Sequence, residues 1–280
     1  MKRDVSQNKD LNKMDLRKLE KKLAKTGFPL ELGCMHLLQR RNWDVINNFL
    51  FEDPEEHKHR EIDAFACDAP AIFDDKRCLT VYVLVECKKS AYPWVFFPST
   101  KKTDRTILGL HDMIFRDGET KRTHDESDSL VYDLRWNSRF ISSEISSWFF
   151  ETEEKKHDMH DAISKLAKAA YYITVGQRED SEPLHPPCLF VVYQTIVLDG
   201  LLCSAALRGR DIHLSPKKQV VLGMNFICPS FRTHMLVDVI HASHFSKYVK
   251  IIEAERDKFV EMANDFYHKH PKFGALRKST

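Results

Sequence analysis

Glu86 and Lys88 close the run Val81-Tyr82-Val83-Leu84-Val85-Glu86-Cys87-Lys88, in which apolar residues give way to a carboxylate and an ammonium two positions apart. In an extended chain alternate side chains share a face, so Glu86 and Lys88 project together. Cys87 turns to the opposite face and leaves its backbone carbonyl near the same edge. Such a group suits one kind of chemistry: the oxygens take a hard divalent cation, and the ammonium meets phosphate charge or fixes a water. The acid-x-Lys spacing carries no weight by itself in a chain that is 30% charged, because it recurs at Glu20/Lys22, Glu56/Lys58, Asp74/Lys76, Glu119/Lys121, Glu153/Lys155 and Glu154/Lys156. None of those ends a buried-strand pattern, whereas the β-branched and aromatic run before Glu86 reads as a strand covered on both faces.

A second acid, Asp63, stands in the strand-like segment Arg60-Glu61-Ile62-Asp63-Ala64-Phe65-Ala66-Cys67. The stretch from Asp68 to Arg77, with Pro70 and several aspartates, reads as a hairpin connection to the Glu86 strand. Asp63 and Glu86 then face each other across adjacent antiparallel strands. A charge buried without a partner is costly, so the two acids are expected to share a cation or a pocket. The competing reading is a surface ion pair at a strand end, which is worth little and leaves the apolar setting of both acids unexplained.

On these residues the first third of the chain resembles the PD-(D/E)XK nuclease superfamily, and most nearly its type IV restriction enzymes. In that family a helix often carrying a further glutamate precedes an acid on one strand and an acid-x-Lys on the next. Residues 26–43 are similar to that helix, with Glu31 at the matching position, and Asp44 to Phe51 is similar to the first strand. One departure is Ile62, where the family name has Pro. The resemblance implies an α/β fold: a restriction-endonuclease-like core with a central mixed sheet (helix-strand-strand-strand-helix-strand) flanked by helices, an insertion after the catalytic strand, and extra C-terminal strands and helix.

It also implies Mg2+ or Mn2+ held by Asp63, Glu86 and the Cys87 carbonyl, and phosphodiester hydrolysis, in DNA before RNA. Lys88 would position the attacking water or act as its base, with positioning and charge stabilisation favoured because carboxylates surround it. Glu31 would orient a water or hold a second cation, although the helix macrodipole alone favours an acid in a first turn. Defence against foreign DNA is the role such relatives suggest. A dimer, or partner subunits, would let a single site per chain cut both strands. The alternative is a nuclease-fold binding or assembly module with weak or silent cleavage, which fold alone does not exclude.

Composition limits the field. With 280 residues, 42% of them hydrophobic, the chain can bury a full core, and a single domain over 1–280 is the default. A net charge of +2 provides no strong overall field, so any nucleic-acid contact must use a local patch. Seven cysteines without a Cys-x-x-Cys pair argue for reduced thiols, a cytoplasmic or nuclear setting and no structural zinc. The polar N-terminus and the lack of a long apolar run argue against a membrane. No Gly-rich phosphate loop and no Gly-x-Ser-x-Gly occurs. His157/His160 and His241/His244 have ligand-capable spacing without a third ligand, and read as solvated or core histidines.

The remaining segments read as follows. Residues 1–26 form an N-terminal helical arm with a basic face. The segment Ala91 to Pro98 packs in the core, with stacking on bases or closing the site as a flap as the alternatives. Residues 103–138 form an insertion or mobile loop. His160 to Val175 supplies the helix that covers the sheet. Pro187 to Leu198 is a strand with Leu201 to Leu207 as its hairpin partner, Gln219 to Cys228 and His234 to Ile240 are further strands, and Phe245 to His268 is a closing helix.

Overall fold

The structure, a computed structural model, describes residues 16–68, 71–74, 77–98, 113–116, 145–151, 158–174 and 188–269. Residues 16–23 are helical and exposed; the rest of the expected N-terminal arm lies outside the described residues. Helix α1, Phe28–Arg40, has a proline in its first turn, where a missing N–H costs nothing, and Arg40 in its last. Asn42 then adopts φ 64, a left-handed conformation that Asn tolerates, and turns the chain into strand β1, Asp44–Glu52. Strands β2 (His59–Cys67), β3 (Ala71–Asp74), β4 (Arg77–Lys89), β5 (Trp94–Pro98), β6 (Met113–Arg116) and β7 (Ile145–Glu151) follow. Next come helix α2 (Asp158–Thr174), strands β8 (Cys188–Asp199), β9 (Leu202–Arg208), β10 (Asp211–Pro216), β11 (Gln219–Ile227) and β12 (Arg232–His241), and helix α3 (Phe245–Lys269).

All the strands among the described residues belong to one mixed sheet of order β1-β2-β4-β8-β12-β11-β7-β5-β9-β10, with β3 beside β4 and β6 beside β8. The chain is therefore α/β with a mixed central sheet. β1, β2 and β4 are antiparallel, whereas β4 and β8 run parallel from Cys78↔Cys188 to Lys89↔Asp199. Parallel neighbours need a crossover, and α2 lies between them in sequence. β8 is in turn parallel to β12. Both central strands are almost unbroken apolar runs because each face of the sheet is covered.

The two faces have separate cores. Val81, Val83, Val85 and Cys87 of β4 join Cys34, Met35 and Leu38 of α1 and Phe245, Tyr248, Val249 and Ile252 of α3. Leu84 of β4 joins Ile62, Phe51 and the apolar stripe of α2, including Met159, Ile163, Leu166 and Ala167. The residues of α2 at this spacing form one helical face. Arg41 and Trp43 both donate to Glu253, tying the α1–β1 junction to α3.

Several details depart from expectation. β9 is not the hairpin partner of β8: it pairs with β5 and β10. Both edges of β8 are already taken by β4 and β12, so the chain leaving Asp199 has no free edge to fold back on. The segment expected as a plain connection, Asp68 to Arg77, contains β3, which pairs with β4. β10 was not expected. Trp94, Val95 and Phe96 are buried in β5, as core packing requires. Of residues 103–138, only β6 is described; it pairs with β8. No described helix is long and apolar enough to cross a membrane.

Gly200 shows how closely the ends of β4 and β8 approach. Ser90 donates its amide to the Asp199 carbonyl at 3.0 Å, and a Cβ on Gly200 would lie 2.6 Å from the Ser90 carbonyl oxygen. Backbone does not give way as a side-chain tip does, so Gly200→Ala is expected to cost about 1–3 kcal/mol. Urea denaturation checks it; an unchanged midpoint would mean that the strand ends separate freely.

Candidate active site

Strand β4 delivers the expected pair. Glu86 is 1% exposed, and its Oε1 accepts a hydrogen bond from Lys88 Nζ at 2.8 Å. Both project on the α2 side of the sheet, as the period of a strand requires. Cys87 faces the other way into the α1–α3 core, where its Sγ lies 3.8 Å from Cys34 Sγ.

Asp63 is brought to the same place by an irregularity in β2. Ile62 packs in the α2-side core and Ala64 in the opposite one, although residues two apart on a regular strand share a face. The strand thus changes its facing at Asp63. Its neighbour across β1 is Asn48, which has φ 50, and the β1–β2 pairing skips that position between Asn47↔Ala64 and Phe49↔Ile62. Pairing of β2 with β4 runs from Cys67↔Tyr82 only to Ala64↔Val85. Beyond it the Cys87 amide donates to Asp63 Oδ2 at 2.6 Å instead of to backbone. A strand residue's N–H and C=O project to the same edge, so the Cys87 carbonyl also lies on the Asp63 side.

The electrostatics of the site follow from this crowding. Burial raises the Asp63 carboxyl, and Glu86 and Glu31 raise it further. The Cys87 amide and Lys88 offset part of this, leaving the pKa at about 7. Glu31, half-buried in the first turn of α1, is also raised, by burial and then by Glu86 and Glu61, with Lys88 and Lys165 pulling it down. It is therefore within electrostatic reach of the other two acids. Burial would lower the Lys88 ammonium, but Glu86, Asp63 and Asp158 outweigh it and hold Lys88 above its ordinary value.

Two participants could not be read from the sequence pattern. Lys165 of α2 donates to Glu86 Oε1 at 2.9 Å, so one carboxylate oxygen holds two ammoniums. Asp158, seven residues earlier and hence on the same face of α2, acts on Lys88. The other oxygen, Glu86 Oε2, is buried and has no hydrogen-bond partner. A buried carboxylate oxygen without a donor is costly and is the kind of atom that a metal ion satisfies. Among the described residues no three His, Cys, Asp or Glu side chains form a ready-made cage. A cation here would have Glu86, Asp63 and the Cys87 carbonyl, with its other positions left to water or substrate. That oxygen-poor set suits Mg2+, which keeps several waters and takes one or two carboxylates plus phosphate.

Other candidates are structural. His160 packs its ring 4.7 Å from that of Phe149, and His241 Nδ1 caps the turn at Ser243; His157 lies outside the described residues. A polar cleft lined by Arg40, Arg41, Asn42, Asp68, Glu253 and Arg256 opens near the other end of α1. Arg41 and Arg256 are already paired there with Glu253 and Asp68, so it is a seam between α1 and α3. No protein-family model matches the chain, nor does any curated protein or solved structure.

Proposed function

We propose that this protein is a metal-dependent nuclease that hydrolyses phosphodiester bonds, in DNA before RNA, at a site made by Asp63, Glu86, Cys87, Lys88 and Glu31. The observation that carries the reading is the buried, partnerless Oε2 of Glu86 beside a second carboxyl held near neutrality. Both are relieved by one divalent cation. The element order α1-β1-β2-β4-α2-β8, with β4 parallel to β8, supports a restriction-endonuclease-like core of the PD-(D/E)XK type, with Ile62 where the family name has Pro.

In this reading Asp63 and Glu86 supply the carboxylate ligands and the Cys87 carbonyl a neutral one. The cation, Mg2+ or Mn2+, supplies Lewis-acid stabilisation of phosphate charge and lowers the pKa of water. Lys88, kept as an ammonium by the acids around it, fixes the water and faces the charge that develops on the phosphate, without acting as base. Glu31, within electrostatic reach of both other acids, orients water. A cytoplasmic enzyme of defence against foreign DNA, working as a homodimer or with partner subunits to cut both strands, fits this chemistry.

The test is incubation of the purified protein with supercoiled plasmid, single-stranded DNA and RNA, with Mg2+ or Mn2+ and with a chelator. Nicking or linearisation that needs the cation and disappears in Glu86→Gln is the expected result. Cation-dependent cleavage that persists unchanged in Glu86→Gln would place the chemistry elsewhere. Absence of cleavage of every substrate would instead favour a nuclease-fold binding module.

A further inference from the structure

Glu86 is held by two ammoniums, one more than its charge requires. Lys88 and Lys165 both bond to its Oε1, at 2.8 and 2.9 Å, which brings two positive charges within about 6 Å of each other around one oxygen. The next lysine along the helix shows the contrast. Lys168, one turn further on α2, is buried and bonds two carboxylates, Asp53, which Arg60 also meets, and the half-buried Glu55. Lys168 thus has two acids, while Lys165 shares one oxygen with another cation. Lys165 is also the more open of the two ammoniums on Glu86, 34% exposed against 22% for Lys88. It stands on a helix beside the strand ends rather than on β4, and its charge reaches Glu31.

A divalent cation at Glu86 Oε2 would compensate the carboxylate that Lys165 now shares with Lys88, so that Lys165 could turn to another anion. A lysine is a compact charge on a flexible stem with three donors, able to leave Glu86 without disturbing the backbone. We propose that Lys165 is the phosphate-binding cation of this site: when a nucleic-acid strand arrives, its ammonium exchanges Glu86 for a non-bridging phosphate oxygen. This rests on the reading of Asp63 and Glu86 as a phosphodiester site. Lys165 makes or breaks no covalent bond. The purely structural alternative, a helix-to-sheet ion pair, predicts a change in stability or cation affinity and no change in how the strand is held.

Binding and cleavage are measured separately on the full chain. Anisotropy of a fluorescein-labelled DNA duplex, with Ca2+ in place of Mg2+, is followed across a salt series for wild type, Lys165→Ala, Lys165→Met and Lys165→Arg. Thermal melting confirms that each variant folds, and the Met variant keeps the apolar stem should Ala not fold. Removing one phosphate contact should lower the slope of log Kd against log salt by about 1, with Arg restoring it. Single-turnover cleavage at saturating Mg2+ should fall about 10- to 100-fold in the Ala and Met variants, and extra Mg2+ should not rescue it. A wild-type salt slope in Lys165→Ala and Lys165→Met, or full rescue by Mg2+, would reduce Lys165 to a counter-ion of Glu86 and overturn the proposal. If wild type binds the duplex but cleaves nothing, the nuclease reading fails and the salt slope still decides for or against Lys165; if it binds no nucleic acid, the proposal falls.

Discussion

Asp63→Asn should abolish cleavage and at the same time make the cation-free protein more stable. Loss of even an outer-shell partner typically weakens a metal site by about 10–100-fold, so removing a ligand charge should exceed about 100-fold in rate. The stability gain has a separate origin. The Asp63 carboxyl titrates at about 7 in the fold against an ordinary 3.8 because burial, Glu86 and Glu31 oppose its charge. A raised folded value means that the folded state binds the proton more tightly than the unfolded chain. Its contribution is therefore fully present below pH 3.8 and is lost as pH rises through about 7. A difference of about three units corresponds to about 4 kcal/mol. Asn is neutral at every pH and its carbonyl can still accept from the Cys87 amide, so a gain of roughly 1–3 kcal/mol at pH 8, vanishing near pH 4, is expected. Chelator-treated protein unfolded in urea at the two pH values measures this. A variant that is less stable than wild type at pH 8 would mean that Asp63 is an ordinary structural carboxylate.

The same titration predicts how the cation binds. Mg2+ or Mn2+ needs the ionised form, so its affinity should climb with pH up to about 7 and level off above it. Binding should release close to one proton at pH 6 and almost none at pH 8.5, a difference that calorimetry in buffers of unlike ionisation enthalpy resolves. In wild type the cation should raise the melting temperature by mass action, and in Asp63→Asn it should do so weakly.

How much of this was legible in the chain follows from the range of each interaction. Glu86, Lys88 and the inward turn of Cys87 could be read directly because a strand's period of two is local. The presence of Asp63 on the neighbouring strand could be read too, but not its orientation. That depends on a change of facing between Ile62 and Ala64 next to Asn48, an event in β1 that no pattern in β2 announces. Lys165 was hidden for a related reason. Its helix was evident from Ile163, Leu166 and Ala170, but that the helix lies over the end of β4 follows from the parallel β4–β8 crossover. β9 illustrates the limit for strands: its apolar pattern is real, yet its partner was fixed by β12, residues later in the chain, occupying the edge of β8. Local periodicity thus gives the faces of elements, while neighbours and register come from pairings between distant segments.

Lys88→Ala should lose activity as Asp63→Asn does but shift stability the opposite way. Glu86 is essentially without solvent, and removing one of its two ammoniums leaves a buried charge resting on Lys165 alone. Breaking a buried pair outright costs about 3–5 kcal/mol; with Lys165 still in place, and Lys88 itself partly exposed, a loss of about 1–2 kcal/mol is expected. Rate should fall by about 100-fold to 10,000-fold, the range for a positioned group that meets charge or a proton in the transition state. The pH profile separates the two roles open to Lys88. Were it the base, its own deprotonation would limit the wild-type rate and cleavage would keep rising well above neutrality. Since Glu86, Asp63 and Asp158 hold it as an ammonium, the rate should instead rise with Asp63 and reach a plateau above about pH 7. In Lys88→Ala the residual rate should retain that ascending limb, because the titrating group is still present. A wild-type rate that climbs without a plateau through pH 9 would restore Lys88 as base. Opposite stability changes at two neighbouring positions, with activity lost at both, are the mark of a charge cluster tuned for a divalent cation. A simple strand-end ion pair would respond with the same sign at each.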